Sequence, residues 1–350
     1  MARLTGLTAA VALIAGVANA ALAAGAHAAP APEAAVPKPA PAYVPTSLKV
    51  EPGTPRARDG HPDLSGVVWD AKFFAPIQAS PKVGPDLVMP EAKARAAYDA
   101  YVAPMIKAAS AMLDPEAGDL LASANGFPLV RGERRTRLVV LPADGKLPLT
   151  PAALQESQAP RVAPTADNPE NRSTMERCVG LGAAPPMMML TQINPWEFVQ
   201  TRDHLVIHTE NGDEVRIVPF AGTHGSGATR PPTGDSIARW EGDTLVVETT
   251  HLLARDRSRG SPSGALIVNP EATVVERFTR VSKDELVYQF TVIDPKVYAA
   301  SWLAEFSLYR APYRMFPSSC HEGNYGLANI LAGARAEERV AAAKAAAPAP

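Results

Sequence analysis

The chain has 350 residues, of which 46% are hydrophobic and 20% are charged, and its formal net charge is −2. This length and apolar content are sufficient for one large or two ordinary domains with a sizeable core. The near-neutral charge argues against nucleic acid as a partner, because nucleic-acid-binding proteins usually carry a clustered basic patch.

The first twenty residues have the pattern of a secretory signal peptide. Arg3 supplies the positive charge, Val11–Val17 the apolar run, and Ala18–Ala20 the small-residue cleavage site, with an alternative cut after Ala28. The apolar run is too short to span a bilayer. The sequence therefore predicts a periplasmic or secreted protein without a membrane span. Residues 21–58, rich in alanine and proline, are predicted to be a disordered linker.

A single mainly β domain is predicted over residues 59–335, followed by a flexible alanine-rich tail over 336–350. A helical insert over 90–121 carries apolar residues at helical spacing, and we expect Pro104 to divide it into two helices. His61, held between a turn and a proline, is interpreted as a turn residue. Thr150 is predicted to cap a helix that begins at Pro151.

From Asn194 onward, short β-prone runs alternate with compact turns. Asn211-Gly212 is the strongest hairpin signal, and Glu241–Asp243 and Ser282–Asp284 are further turns. The predicted strands are Trp196–Thr201, His204–Glu210, Val215–Phe220, Ile237–Trp240, Thr244–His251, Thr273–Val281, Glu285–Asp294 and Ala304–Arg310. This spacing predicts an antiparallel meander that forms a barrel or sandwich, with a few helices in the N-terminal half and one at the C-terminus.

Alternation along the strands divides the sheet into an apolar and a polar face. The predicted apolar face comprises Leu205, Ile207, Val215, Ile217, Leu245, Val247, Leu286, Tyr288 and Phe290. The predicted polar face comprises His208, Glu210, Arg216, Glu248, Gln289 and Thr291. Glu276 falls on the apolar side, and a bulge in its strand would resolve that conflict.

Two interpretations of the polar face remain open. It is either the solvated outer side of a half-buried sheet, where exposed ion pairs contribute about 0–1 kcal/mol, or the lining of a concave ligand pocket. In the pocket interpretation the side chains perform acid/base chemistry. The candidate base is Glu248 or Glu210, the proton donor His208 or His321, and the anion stabiliser Arg216 or Arg277.

Cys178 and Cys320 are the only cysteines, and in an exported protein they are predicted to form a disulfide. That bond would hold His321 and Glu322 in place, which makes them a second candidate catalytic pair. The alternative is a tight loop with an exposed histidine. Further binding candidates are His224 in a glycine-rich loop, Trp240, Arg277 and Asn324.

No spacing pattern predicts a cofactor. The chain lacks the P-loop, dinucleotide, Cys-x-x-Cys, His-Glu-x-x-His and Gly-x-Ser-x-Gly motifs, although His208, Glu210, His321 and Glu322 carry nitrogen and oxygen atoms that metals bind. We predict an exported enzyme, a lyase, isomerase or hydrolase, that acts on a small organic or carbohydrate-like ligand without a cofactor. The alternatives are a non-catalytic periplasmic ligand-binding protein and an envelope-associated structural protein.

Several phrases of the sequence resemble those of a large group of exported, largely uncharacterised bacterial proteins. They are Asp63–Gly66, Glu176–Cys178, Arg239–Thr249, Glu276–Thr279 and Cys320–Asn324. The resemblance covers most of residues 59–338. It implies a shared fold and export, and it implies no particular activity or catalytic residue.

Overall fold

The computed structural model describes residues 48–71, 73–110, 126–158, 168–169, 172, 174–178, 182–187, 194–253, 266 and 268–346. The predicted signal peptide and most of the predicted linker lie outside these ranges.

Most strands of the described chain belong to one large antiparallel sheet. The strands are β1 (Val68–Asp70), β2 (Val88–Met89), β3 (Leu129–Val130), β4 (Glu133–Arg135), β5 (Val139–Leu141), β6 (Trp196–Gln200), β7 (His204–Thr209), β8 (Glu214–Pro219), β9 (Asp235–Glu241), β10 (Thr244–Thr250), β11 (Thr273–Arg280), β12 (Glu285–Ile293) and β13 (Trp302–Arg310). The order in the large sheet is β8-β7-β6-β1-β13-β12-β11-β10-β9, and β5 pairs additionally with β13. Strands β2, β4 and β3 form a small separate sheet.

The large sheet consists of two meanders joined through β1. β1 pairs with β6 of the first meander and with β13 of the second. The end strands β8 and β9 lie side by side, so the sheet is a nearly closed barrel. The predicted mainly β antiparallel fold is confirmed. The turns follow the sequence signals, since Gly212 and Gly242 adopt φ values of 74° and 62° that glycine accommodates without strain.

Aromatic side chains fill the barrel interior. The ring of Trp196 on β6 lies 5.1 Å from that of Tyr288, 6.1 Å from that of Phe306 and 6.5 Å from that of Phe278, measured between centroids. All four side chains are buried. Edge-to-face ring contacts of this kind each contribute about 0.5–1.5 kcal/mol beyond area burial. The inner faces of the two meanders are therefore held together directly.

The prediction that Arg216 lies on the polar face with Glu248 is wrong. Arg216 stands opposite Ile207, is 1% exposed, and places Nη1 2.8 Å from Oε2 of the fully buried Glu276. Val215 and Ile217, predicted to be internal, are 51% and 63% exposed. β8 is thus rotated by one residue relative to the prediction. A buried charge is tolerated there because the opposite charge meets it.

Glu276 lies on the interior side without the predicted bulge. Pairing of β11 with β12 runs without interruption from Thr273 to Arg280. The Tyr288 hydroxyl donates to Glu276 Oε1 over 2.8 Å and accepts from the Met187 backbone N–H over 3.0 Å. Burial, and next the Glu276 charge, raise the pKa of Tyr288 well above its ordinary value. Tyr288 therefore links the buried Glu276 carboxylate to the segment that carries Met187.

The helices are α1 (Glu91–Ser110), α2 (Pro151–Gln158), α3 (Thr174–Arg177) and α4 (Tyr325–Ala346). The prediction that Pro104 divides the insert is wrong, because α1 runs through it. Burial of Tyr98, Tyr101 and Val102 anchors α1 and offsets the backbone hydrogen bond that proline cannot make. The predicted cap is confirmed, since the Ala153 N–H donates to Thr150 Oγ1 over 3.2 Å. α4 continues past residue 335, where the tail was predicted to begin.

The segment before residue 59 also packs on the barrel. Arg56 forms a two-pronged ion pair with Asp243, at 2.6 and 3.1 Å, in the turn between β9 and β10. His61 stacks on Trp240, with ring centroids 4.5 Å apart, and its Nδ1 lies 3.1 Å from the Gly242 carbonyl oxygen. The interpretation of His61 as a turn residue agrees with these contacts. None of the described helices is both long and apolar enough to traverse a bilayer.

Breaking the internal ion pair is expected to destabilise the barrel. Arg216→Met should lower the free energy of unfolding by about 3–5 kcal/mol, because it leaves the Glu276 carboxylate buried without a counter-charge. The double variant Arg216→Met/Glu276→Gln should recover part of this loss. Urea denaturation measures both, with Arg202→Met, whose side chain is 94% exposed, as the control. A loss no larger than that of the control would contradict a stabilising role for the pair.

Stability should fall at alkaline pH in a way that depends on Tyr98. Burial raises the pKa of Tyr98 from 10.0 to about 12. The folded state therefore retains the phenol proton more strongly, and this contribution is complete below pH 10 and declines as the pH rises towards 12, by on the order of 1.4 kcal/mol per pH unit. Tyr98→Phe should make the decline smaller by this amount, and the remaining decline comes from other tyrosines with raised pKa values, such as Tyr288 and Tyr309. The free energy of unfolding of both proteins is measured by urea denaturation at several pH values. A difference between them that stays constant from pH 10 to pH 12 would refute the expectation.

Candidate functional site

Four titratable side chains meet where β9 begins and β10 ends. The loop over residues 221–234 leads into β9 and carries His224. Asp235 is the first residue of β9 and pairs with Thr250, the last residue of β10. Glu248 lies on β10, and His251 is the first residue after the end of β10. Antiparallel pairing of β9 and β10 thus brings Asp235, at the start of β9, close to His251, at the end of β10, and the loop places His224 beside them.

His224 lies between two carboxylates. Its Nε2 is 3.3 Å from Oε1 of Glu248, and its Nδ1 is 3.4 Å from Oδ2 of Asp235. The same Asp235 oxygen is 3.5 Å from Nδ1 of His251 and accepts the Gly225 backbone N–H over 2.6 Å. The side chains are half-buried, from 18% exposed for His224 to 35% for Glu248. We call His224, Asp235, Glu248 and His251 the imidazole–carboxylate cluster.

The glycine-rich loop is held closely against the cluster. A Cβ atom on Gly227, whose φ is +77°, would stand 2.6 Å from Cδ2 and 2.7 Å from Nε2 of His251. Arg230 fastens the other end of the loop by donating from Nη1 to the carbonyl oxygens of Leu252 and Pro270, over 3.1 and 2.8 Å. His251 adopts φ 51°, a left-handed conformation uncommon outside glycine. The loop conformation therefore positions both imidazoles.

The cluster contains the groups that proton transfer requires. Nε2 of His224 faces Glu248 within hydrogen-bond distance, whereas Asp235 lies beside Nδ1 at ion-pair distance without a hydrogen bond. The His224 ring carries a proton on both nitrogens when it is charged. It can then pass one of these protons to a neighbouring carboxylate. Glu248 is the most exposed member and the one that a ligand can reach first. The arrangement is suited to general acid/base chemistry.

Sequence reasoning identified half of this cluster. Glu248 and His224 were predicted site residues, and the structure brings them together. Asp235 and His251 were missed, although their positions at the start and end of paired strands were a usable signal. Because the turn over Glu241–Asp243 sets the register, counting outward from it would have placed Asp235 opposite Thr250.

His208 and Glu210 make contacts elsewhere. Nε2 of His208 is 2.7 Å from Oδ1 of Asp213, across the turn between β7 and β8. Glu210 lies just after β7, and its Oε2 accepts the Phe316 backbone N–H over 2.9 Å. These bonds hold a hairpin turn and the segment that follows β13.

The two candidate arginines both lie in ion pairs. Arg216 is inside the barrel, as described above. Arg277 is nearly buried and places Nη1 2.8 Å from Oε2 of Glu241, which also pairs with Arg239 at 2.8 Å. Burial opposes ionisation of Glu241, but hydrogen bonds from Arg277 and then Arg239 outweigh it and lower its pKa. Trp240, adjacent to this group, is occupied by its stacking on His61.

The predicted disulfide between Cys178 and Cys320 is confirmed, with a Cα–Cα distance of 5.7 Å. His321 and Glu322 follow it and are exposed. Asn324 donates to the Glu176 carbonyl oxygen over 2.7 Å, and its Oδ1 accepts the Leu327 N–H over 3.2 Å at the start of α4. The disulfide thus joins the end of α3 to the segment before α4, and Asn324 adds hydrogen bonds to both.

The fold and the cluster define an antiparallel β protein with a surface imidazole–carboxylate site. No family model matches the sequence, and no curated protein matches it. Within the described ranges, no group of three or more histidine, cysteine, aspartate or glutamate side chains is arranged to hold a metal ion.

Gly227→Ala should displace His251. Gly222 is a matched control in the same loop, because its φ is +133° but an added Cβ would meet nothing within 4 Å. Gly227→Ala should cost about 1–2 kcal/mol of backbone strain and Gly222→Ala about 1–3 kcal/mol. Only Gly227→Ala should shift the imidazole signals of His251 in ¹H–¹⁵N NMR spectra. Equal shifts in the two variants would show that the loop does not position this ring.

Proposed function

We propose that this protein is an enzyme that performs acid/base chemistry on a small organic or carbohydrate-like ligand at the imidazole–carboxylate cluster. The supporting observation is the placement of His224 between Glu248 and Asp235, within 3.3 and 3.4 Å. On a solvated strand face, charged side chains are usually spread out and exposed. Here an imidazole lies between two carboxylates beneath a closely packed glycine-rich loop, which is the arrangement that a proton relay requires.

Each member of the cluster has a role in this proposal. Glu248 removes a proton from the ligand, and His224 receives it through Nε2 or returns it to another ligand atom. Asp235 places one oxygen near Nδ1 of both His224 and His251 and stabilises positive charge on either ring. His251 is the second imidazole and donates to the developing negative charge. Proton removal and return of this kind occur in lyases, isomerases and hydrolases alike, and side chains alone can perform these transfers.

We further propose that the protein is exported to the periplasm or secreted. The disulfide supports this, because such bonds persist mainly in oxidising compartments. The signal-peptide pattern of residues 1–20 agrees with it. Membership in the group of exported bacterial proteins that the sequence resembles is part of the same proposal, and it rests on the shared phrases alone.

A second candidate function is non-catalytic binding of a small molecule. A cleft of about 570 Å³ on another part of the surface favours it, since ligand sites typically measure about 300–1,000 Å³. This cleft lies on β1 and β13, whereas the imidazole–carboxylate cluster lies on β9 and β10. The two functions therefore predict different sensitive residues.

Glu248→Gln should reduce turnover by at least about 100-fold, because it removes the proton acceptor. Its free energy of unfolding should stay within about 1 kcal/mol of the wild-type value, since the side chain is partly exposed. Turnover is measured on a panel of sugars, hydroxy acids and esters by monitoring product formation and solvent deuterium incorporation. His224→Gln should give a loss of similar size.

Glu197→Gln is the matched control, because Glu197 is a half-buried glutamate on the outer side of β6 and opposite His208. It should retain wild-type turnover. If Glu248→Gln turns over substrate as fast as the wild type, Glu248 has no part in the mechanism. A wild-type protein that turns over nothing on the panel while it binds ligand at the cleft would favour the binding function.

A further inference from the structure

The glycine-rich loop is fastened at both ends, and residues 221–229 lie between these ends. At the start, the Phe220 N–H donates to the Asp203 carbonyl oxygen over 3.0 Å. At the other end, Arg230 donates to two carbonyl oxygens, over 3.1 and 2.8 Å. Both ends are therefore tied to neighbouring parts of the fold, and residues 221–229 can move without either attachment breaking.

The segment over residues 221–229 has few of the interactions that stabilise a loop. All of its residues are exposed except His224 and Gly227, which are half-buried. It makes no backbone-to-backbone hydrogen bond with any residue in the described ranges. Within the segment, the Ala228 N–H donates to Ser226 Oγ over 3.4 Å. Segments with few buried contacts and few hydrogen bonds open locally while the rest of a protein stays folded.

The other members of the imidazole–carboxylate cluster hold this segment against the barrel. The Gly225 N–H donates to Asp235 Oδ2 over 2.6 Å, and His224 Nε2 lies 3.3 Å from Glu248 Oε1. The chain then packs closely on the His251 ring. Asp235 makes the shortest of these contacts, and a hydrogen bond from a backbone N–H to a carboxylate is charge-assisted. Asp235 is therefore the main attachment of the segment.

The segment covers one side of the Glu248 carboxylate, which is 35% exposed. His224 occupies that side at hydrogen-bond distance. Movement of the segment away from the barrel would uncover it and enlarge the space beside Glu248 for a ligand. Its return would place the imidazole against the ligand.

We propose that residues 221–229 form a lid over the Glu248 carboxylate and that Asp235 is the latch that keeps this lid closed. The lid opens to admit the ligand, and its closure returns His224 to the reacting atoms and excludes water. The proposal rests on the proposed acid/base function for the identity of the ligand site. Opening is independent of any reaction and is measured without a substrate.

NMR of the full chain tests the latch through amide hydrogen exchange. In Asp235→Ala the Gly225 amide should exchange at least about tenfold faster than in the wild type, because it loses its acceptor. The ¹H–¹⁵N heteronuclear NOE of residues 223–229 should fall together, while the amides of β10 stay unchanged. Asp235→Asn keeps a side-chain oxygen and should remain within about threefold of the wild type. Asp203→Ala, at an exposed aspartate in a nearby turn, is the control and should change nothing.

The response to urea separates local opening from global unfolding. In the wild type, exchange of the Gly225 amide should be insensitive to low urea concentrations, whereas exchange of the β10 amides should accelerate, because local opening exposes little surface. Exchange at Gly225 that follows urea as the β10 amides do would overturn the proposal. So would equal exchange of Gly225 in the wild type and in Asp235→Ala.

Carboxyl labelling with a carbodiimide and glycine ethyl ester, measured by peptide mass spectrometry, reports access to Glu248. Labelling of Glu248 should rise at least about threefold in Asp235→Ala, because the lid is open more often. Labelling of Glu197, a half-buried glutamate on β6, should not change. Unchanged labelling of Glu248 would show that the segment does not control access to this carboxylate.

The two proposals can fail separately. If exchange and labelling respond as expected while the wild type turns over nothing on the substrate panel, the acid/base function is wrong and the lid remains. If the wild type turns over substrate while exchange and labelling are the same in Asp235→Ala as in the wild type, the lid is wrong and the acid/base function remains.

Discussion

Contact between the two meanders across the barrel interior is the interaction on which the structure depends. β1 is only three residues long and provides the sole hydrogen-bonded link between the described strands of the two meanders. Three aromatic side chains of the second meander surround Trp196 of the first. Because the interior is closed by packing as well as by strand pairing, both end strands can lie beside each other without a shared ladder.

This closure explains why polar residues with the same alternation signal lie in different environments. Arg216 and Glu276 face inward and are buried as an ion pair, which costs desolvation and is stable only because the charges meet. Glu248 faces outward, where it can meet both His224 and solvent. Charged residues on the strands therefore differ in access to solvent: Arg216 and Glu276 are enclosed, Arg277 is nearly buried beside Glu241, and Glu248 is partly exposed. Only the surface residue can take part in proton transfer with a ligand.

The strands and turns could be predicted from sequence because both signals are local. Period-two alternation located strands from β6 to β13, and turn residues such as Gly212 and Gly242 marked their ends. The orientation of β8 could not be predicted, because Val215 and Ile217 satisfy the apolar pattern although they are exposed. The continuous α1 was equally hidden, since the packing that outweighs Pro104 is tertiary. Half of the imidazole–carboxylate cluster was missed because its members are brought together by register.

The filled barrel interior restricts where a small molecule can bind. The interior is occupied by buried aromatic rings and by Arg216, Glu276 and Tyr288, so a ligand pocket inside the barrel would require these groups to leave. In the described residues, concave surface instead forms where a loop or the helical insert packs against the sheet. The glycine-rich loop covers one end of β9 and β10, and the insert builds a wall beside β13. In this fold the strands supply Asp235 and Glu248, and the residues beside the strands supply His224 and His251.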